Sequence, residues 1–140
     1  MKVIVIDNTE QLAARLSGAH AEVFAFEDEI QALNAVEGQQ PEMIFLNHDM
    51  YGDQTPEYIR LLLSVSDTSK LVVIGENVGE DDILLCLLVG AQGYQDVKQL
   101  PGCINKLMRV VLDGEAWVSR KMVARVLDAL RQRNSEALIA

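Results

Sequence analysis

The sequence predicts a three-layer α/β sandwich built on a parallel, doubly wound sheet. Three observations point to it. The runs VIVI (3–6), MIFL (43–46) and LVVI (71–74) have the length and continuity of strands buried on both faces. Segments of helical periodicity separate them, the alternation that right-handed crossovers of a parallel sheet require. Each run also stops on a polar or small residue, at Asp7-Asn8, Asn47 and Gly75, where the sheet would present its carboxyl edge. Ligands of open α/β sheets sit outside that edge.

The elements follow in order. Lys2–Ile6 is the first strand, and Thr9 to Leu16 a helix with Leu12, Ala13 and Leu16 on one stripe, ending near Gly18. Glu22–Phe26 alternates weakly, as an edge strand does. Ile30, Leu33, Ala35 and Val36 define a short helix closed by Gly38, and Pro41 introduces the central strand Met43–Leu46. Tyr51-Gly52-Asp53 is a turn. Thr55 is then an N-cap, with Pro56 at the first helical position of a helix reaching Val65. Leu71–Ile74 is a strand, followed by a helix that opens on Glu80-Asp81-Asp82, acids placed well against the helix dipole. Gly90 stops it, and Gln92–Gln95 is a short strand. Pro101 opens a helix to Leu112, Asp113-Gly114 ends it, and Ser119 to Arg133 is a final amphipathic helix.

Composition narrows the class. With 140 residues, 49% hydrophobic and 24% charged, the chain fits one domain with a self-sufficient core. Cys86 and Cys103 lie in apolar helical contexts without CxxC spacing and read as small buried hydrophobes. The longest strongly apolar run, Ile83–Val89, is far short of the roughly 18 residues a membrane span needs, and no leader pattern opens the chain. A cytoplasmic protein without a membrane association is expected. Residues 1–118 carry 7 basic and 19 acidic side chains, whereas 119–133 carry Arg120, Lys121, Arg125, Arg131 and Arg133 against Asp128. The acidic body argues against direct contact with nucleic acid, whose phosphates supply most non-specific affinity. His20 and His48 have no partners at metal or triad spacing, so no metal is expected.

Several stretches carry a resemblance. GAQGYQDV (Gly90–Val97), then LPGCINKLMRVVLDGEAWVSR (Leu100–Arg120), VIVIDN at the start and MIFLNHDMYG in the middle resemble, in order and spacing, the receiver domain of LuxR/NarL-type response regulators. The resemblance implies a flavodoxin-like (CheY-like) sheet in the order 2-1-3-4-5 and a role in two-component signalling. It divides the chain into a receiver domain at 1–116 and a linker helix at 117–140. That helix would lead to a DNA-binding helix-turn-helix, so that DNA is met only through a domain beyond this sequence.

Carried over residue by residue, the family's phosphorylation site is degenerate. The acidic pair matches Asp7 and Asn8, and the phosphoacceptor matches Asn47. The Thr or Ser that follows the phosphoryl group matches Gly75, the switch aromatic Tyr94, and the phosphate-pairing lysine Val97, with Lys98 one place late. An amide at Asn47 is uncharged and a very poor nucleophile, so an acyl phosphate cannot form there. Asp49, two residues on, sits in the loop after the acceptor position.

Two features stand in for phosphorylation as an input. WVSR, Trp117, Val118, Ser119 and Arg120, resembles the motif with which LuxR-type biofilm regulators bind cyclic di-GMP, although the same text also packs a linker helix down. A guanidinium can stack on guanine and bond phosphate. ILLCLLV at 83–89 is apolar around its whole circumference, and a homodimer is expected whose contacts include either this helix, through Leu84, Leu87 and Leu88, or the C-terminal helix. The functional expectation is therefore a phosphorylation-independent receiver domain of a transcription regulator, non-enzymatic, serving dimerisation and ligand or partner sensing. The alternatives are a stand-alone adaptor for a signalling protein and a cyclic di-GMP-sensing regulator. An enzyme of the same fold would need a phosphate-cradling Gly-rich loop or a nucleophile with its base, and neither is present.

Overall fold

The apolar runs become the inner strands. The computed structural model describes residues 1–16 and 21–139; Gly18 and His20 lie outside them. The strands are β1 (Lys2–Ile6), β2 (Glu22–Phe26), β3 (Met43–Asn47), β4 (Lys70–Gly75) and β5 (Gly93–Asp96). All pair in parallel, in the order β2-β1-β3-β4-β5. The helices are α1 (Gln11–Arg15), α2 (Glu29–Gln39), a short α3 (His48–Tyr51), α4 (Thr55–Val65), α5 (Glu80–Leu88), α6 (Leu100–Leu112) and α7 (Arg120–Ile139).

Alternation along the strands divides the core. Val3, Val5, Met43, Phe45, Val72 and Ile74 face α1 and α6, meeting Leu12, Leu16, Leu107 and Val111. Ile4, Ile6, Ile44, Leu46, Leu71 and Val73 face α2, α4 and α5, meeting Val36, Ile59, Leu62 and Cys86. β2 is the expected edge, with Glu22, Phe24 and Ala25 exposed. None of the described helices is long and apolar enough to cross a membrane.

Several element ends differ from the sequence reading. α2 runs through Gly38 and stops at Gln40, which adopts φ 49°. Pro41 cannot extend the helix, and the Gln40 side chain closes it by donating from Nε2 to the Glu37 and Val65 carbonyls at 2.9 and 2.8 Å. Thr55 is not an N-cap. A 3₁₀ turn at Gly52–Gln54 runs straight into α4, and the buried Thr55 hydroxyl has no hydrogen-bond partner among the described residues. α1 is shorter than expected, beginning at Gln11 after Glu10 takes a left-handed conformation at φ 62°. Cys86 is buried as expected, but Cys103 is only half-buried, because its turn of α6 looks past the edge of the core.

The apolar circumference of α5 has a local explanation for part of its length. Ile83 and Cys86 face the core, while Leu87 faces α7 across an apolar crevice shared with Val118, Val126 and Leu127. Leu84 and Leu88 are half-buried, and the most open leucine of the run is Leu85, at 51% exposure.

Candidate functional site

The register of the sheet assembles the site. Ile6 lies opposite Leu46, so one step further sets Asp7 beside Asn47, and Asn47 in turn lies opposite Ile74, next to Gly75. These ends surround a small cavity of about 70 Å³ lined by Asp7, Thr9, Asn47, Asp49, Gly75, Glu76 and Val97 among others. Of the residues the sequence nominated, Asp7, Asn47, Gly75 and Val97 meet here. Asn8 is exposed and lies outside the cavity.

Asp7 is a buried carboxylate, 5% exposed, and neutral donors satisfy both its oxygens. Asn47 Nδ2 donates to Oδ1 at 2.7 Å; Thr9 Oγ1 and the Leu12 N–H donate to Oδ2 at 2.8 and 3.2 Å. The orientation of the Asn47 amide is fixed by its other end. Its Oδ1 accepts the Asp49 N–H at 2.9 Å, which turns the NH₂ towards Asp7. Where the resemblance would place a magnesium ion between carboxylates, an amide N–H occupies the direction of approach. Mg²⁺ needs near-octahedral oxygen ligands. Asp7 is the one carboxylate of the family's set that remains, its oxygens are taken, and among the described residues no group of three or more His, Cys, Asp or Glu is placed to hold a metal. The donor set does not fit the ion.

The remaining positions are closed in the same way. A Cβ on Gly75 would collide with the Val78 Cγ2 methyl and sit 3.5 Å from the Cβ of buried His48, so Val78 fills the volume a Ser or Thr side chain would need. Val97 lines the cavity where a lysine would reach in, and its carbonyl accepts from Arg15 Nη1 at 2.7 Å. Lys98 reaches only the outer rim of the cavity, pairing there with the half-exposed Glu76 at 3.1 Å. The Tyr94 ring packs over the α4–α5 side of the sheet, its hydroxyl donating to the Gly75 carbonyl at 3.3 Å; burial raises its pKa above the ordinary phenol value. Sequence reasoning missed Thr9 and Val78. A Thr two residues after an Asp is a recognisable side-chain-to-side-chain turn signal, whereas nothing local marks Val78 as a plug.

The WVSR segment does structural work. Trp117 forms a parallel bridge with Gly93, donates from its backbone N–H to the Gln92 carbonyl at 3.1 Å, and donates from Nε1 to Gln95 Oε1 at 2.9 Å. The approach requires glycine: a Cβ on Gly93 would lie 2.7 Å from the Trp117 Cβ. Val118 is half-buried, and Ser119 Oγ accepts the Met122 N–H at 3.2 Å, capping α7. Arg120 is exposed. A cavity of about 640 Å³ opens beside the segment, lined by Trp117, Ser119 and Lys121 together with the acids Glu80 and Asp96.

No protein-family model matches the chain, and no curated protein matches it. Solved structures do. A LuxR-family two-component response regulator from Aurantimonas sp. SI85-9A1 superposes with a TM-score of 0.75 at 16% identity, over 91% of this chain and 96% of that one. The isolated REC domain of RcsB from Salmonella enterica serovar Typhimurium gives 0.75 at 18% identity, over 91% and 98%. The signal receiver domain of the NarL response regulator from Mycobacterium tuberculosis gives 0.66 at 19%, over 81% and 97%. Strand order, crossovers and the added C-terminal helix together establish that this chain has the CheY-like fold of response-regulator receiver domains.

Proposed function

We propose that this chain is a receiver-type signalling module of a transcription regulator that works without phosphoryl transfer. It transmits its signal through self-association and through a bound ligand or partner protein, with DNA contacted by a separate domain. The observation that carries this reading is the 2.7 Å bond from Asn47 Nδ2 to Asp7 Oδ1. A position that would need an anionic nucleophile holds a neutral donor, and that donor has replaced a cation as the partner of the buried carboxylate. The plug at Val78 and the apolar lining at Val97 support it. A non-enzymatic role is part of the same proposal, supported by the commitment of the buried Asp7 carboxylate to holding the β1–α1 segment against the end of β3.

Incubation with acetyl phosphate and Mg²⁺ tests the proposal directly, with intact mass as the readout. The mass should not change. A stable adduct of one phosphoryl group, mapped to Asp7 or Asp49, would overturn the reading. Cyclic di-GMP at Trp117–Arg120 is the ligand arm of the same proposal, and calorimetry decides it. Binding that weakens by about 1–3 kcal/mol in Arg120→Ala supports that arm. Absence of heat at saturating nucleotide assigns WVSR to packing alone.

A further inference from the structure

The final helix carries an apolar stripe that its own domain covers only in part: Val123 and Leu127 border the crevice shared with Leu87 and remain open to solvent on their outer side. Met122 is buried, and Arg125, Val126 and Ala129 are half-buried, which sets that face of α7 against α5. Val123, Leu127 and Leu130 recur at i, i+4 and i+7 and are 43%, 44% and 43% exposed. At 3.6 residues per turn this second stripe lies about a third of a turn from the buried face. Arg120 and Arg131 flank it on one side and Arg133 on the other. Two such stripes packed on each other would bring guanidinium groups together, a juxtaposition that disfavours self-pairing. The stripe fits an apolar surface with an acidic rim.

The opposite flank of the domain offers that surface. Between α2 and α4 lies a groove of about 220 Å³ floored by Leu33 and Tyr58. Its lips are Ile30 and Leu61, 63% and 47% exposed, with Glu29 and Glu57 at its rim and no basic residue in its lining. In the helical layer α5 stands between α4 and α7, so an α7 seated on its own α5 leaves the groove to another molecule. We propose that the α2–α4 groove receives α7 of a second copy of this chain. Reciprocal exchange gives a closed two-fold dimer, each copy donating a basic helix and accepting one in an acidic groove. This inference rests on the self-association proposed above and names its surfaces.

Sedimentation of the full chain, across concentration and salt, provides the test. The dimer should weaken as salt rises, because the complementarity is between surface charges. Leu127→Asp on the helix and Leu61→Asp on the groove should each raise the dissociation constant at least tenfold with unchanged circular dichroism, since both side chains are open to solvent. An equimolar mixture of the two variants restores one intact helix–groove contact and should dimerise more tightly than either variant alone. If Leu127→Asp breaks the dimer and Leu61→Asp does not, the helices pair with each other and the groove assignment is overturned. A dimer indifferent to both variants overturns this interface while leaving self-association intact. A wild-type chain that stays monomeric at high micromolar concentration overturns both.

Discussion

The carboxyl edge of the sheet and the seam between α5 and α7 handle charge in opposite ways. At the edge one carboxylate, Asp7, is buried and held by Asn47, Thr9 and the Leu12 N–H, and no cation among the described residues pairs with it. At the seam, Lys121 meets Glu80 at 3.1 Å and Arg125 meets Asp81 at 2.6 Å, all in contact with solvent. A buried charge satisfied by hydrogen bonds is costly to disturb, because any replacement must also satisfy it away from water. Exposed ion pairs are screened and replaceable. The edge is therefore the fixed part of the molecule, and the attachment of α7 is the adjustable part. In a phosphorylated receiver one would expect the reverse, with a reactive edge whose occupancy changes.

The largest expected effect comes from putting the carboxylate back. Asn47→Asp removes a hydrogen bond to a charged group, a loss of about 1.5–3 kcal/mol, and sets two carboxylates within 2.7 Å of one another where the amide now donates. Such a pair shares a raised pKa. The folded state then binds more protons than the unfolded one, so stability falls as pH rises through the raised value and returns on acidification. Urea unfolding at pH 5 and pH 7 would show it, with millimolar Mg²⁺ stabilising the variant and leaving the wild type unmoved. A variant as stable as wild type at pH 7 would break the contrast between a rigid edge and an adjustable seam.

Gly75→Ser comes next. Its Cβ must displace the Val78 methyl, and overpacking of this kind costs about 1–3 kcal/mol. Adding Val78→Ala should recover most of the loss in thermal melts. Cys86 gives a smaller, pH-dependent effect. Burial, helped by Asp82, pushes its thiol up to about 11. Unfolded, the thiol ionises near its ordinary value of about 9, so the raised value contributes stability that is complete below that pH and is lost as pH climbs towards 11. Melts across this interval should fall more steeply for the wild type than for Cys86→Ala compared with its own neutral-pH value.

What could be read in the sequence was what repeats or pairs locally. Continuous apolar runs gave the three inner strands within a residue at either end, since a strand buried on both faces needs nothing but such a run, while the two edge strands rested on weak alternation and on turn signals. The convergence of Asp7, Asn47 and Gly75 was legible because strand ends in a parallel sheet are adjacent by construction. The partners of those residues were not. Thr9 and the Leu12 N–H reach Asp7 only once the first loop is folded, and Val78 fills the Gly75 volume from a loop whose path the sequence does not specify. Helix ends failed where a side chain substituted for the usual signal, as Gln40 does beyond Gly38. The apolar surplus of α5 was read as an interface with another molecule, yet Leu87 faces α7 of the same chain, a contact between elements some 30 residues apart that no window detects.

The smallest expected effect is at the seam itself. Arg125 donates from Nη2 to Asp81 Oδ1 at 2.6 Å and lies 4.0 Å from Glu80, but Asp81 is 89% exposed. An exposed pair of this kind contributes about 0.2–1 kcal/mol, and less as salt rises. Arg125→Ala should therefore lower global stability by no more than that, while loosening the start of α7 locally. Hydrogen exchange separates the two readouts. Amides from Val123 to about Leu130 should exchange faster in the variant, and those of β1 and β3 should not change. Raising salt in the wild type should reproduce the pattern in part, because the Lys121–Glu80 pair beside it weakens in the same way. If the amides of β1 and β3 lost protection equally, α7 would be part of one cooperative unit with the sheet, and the contrast between a fixed edge and an adjustable seam would fail.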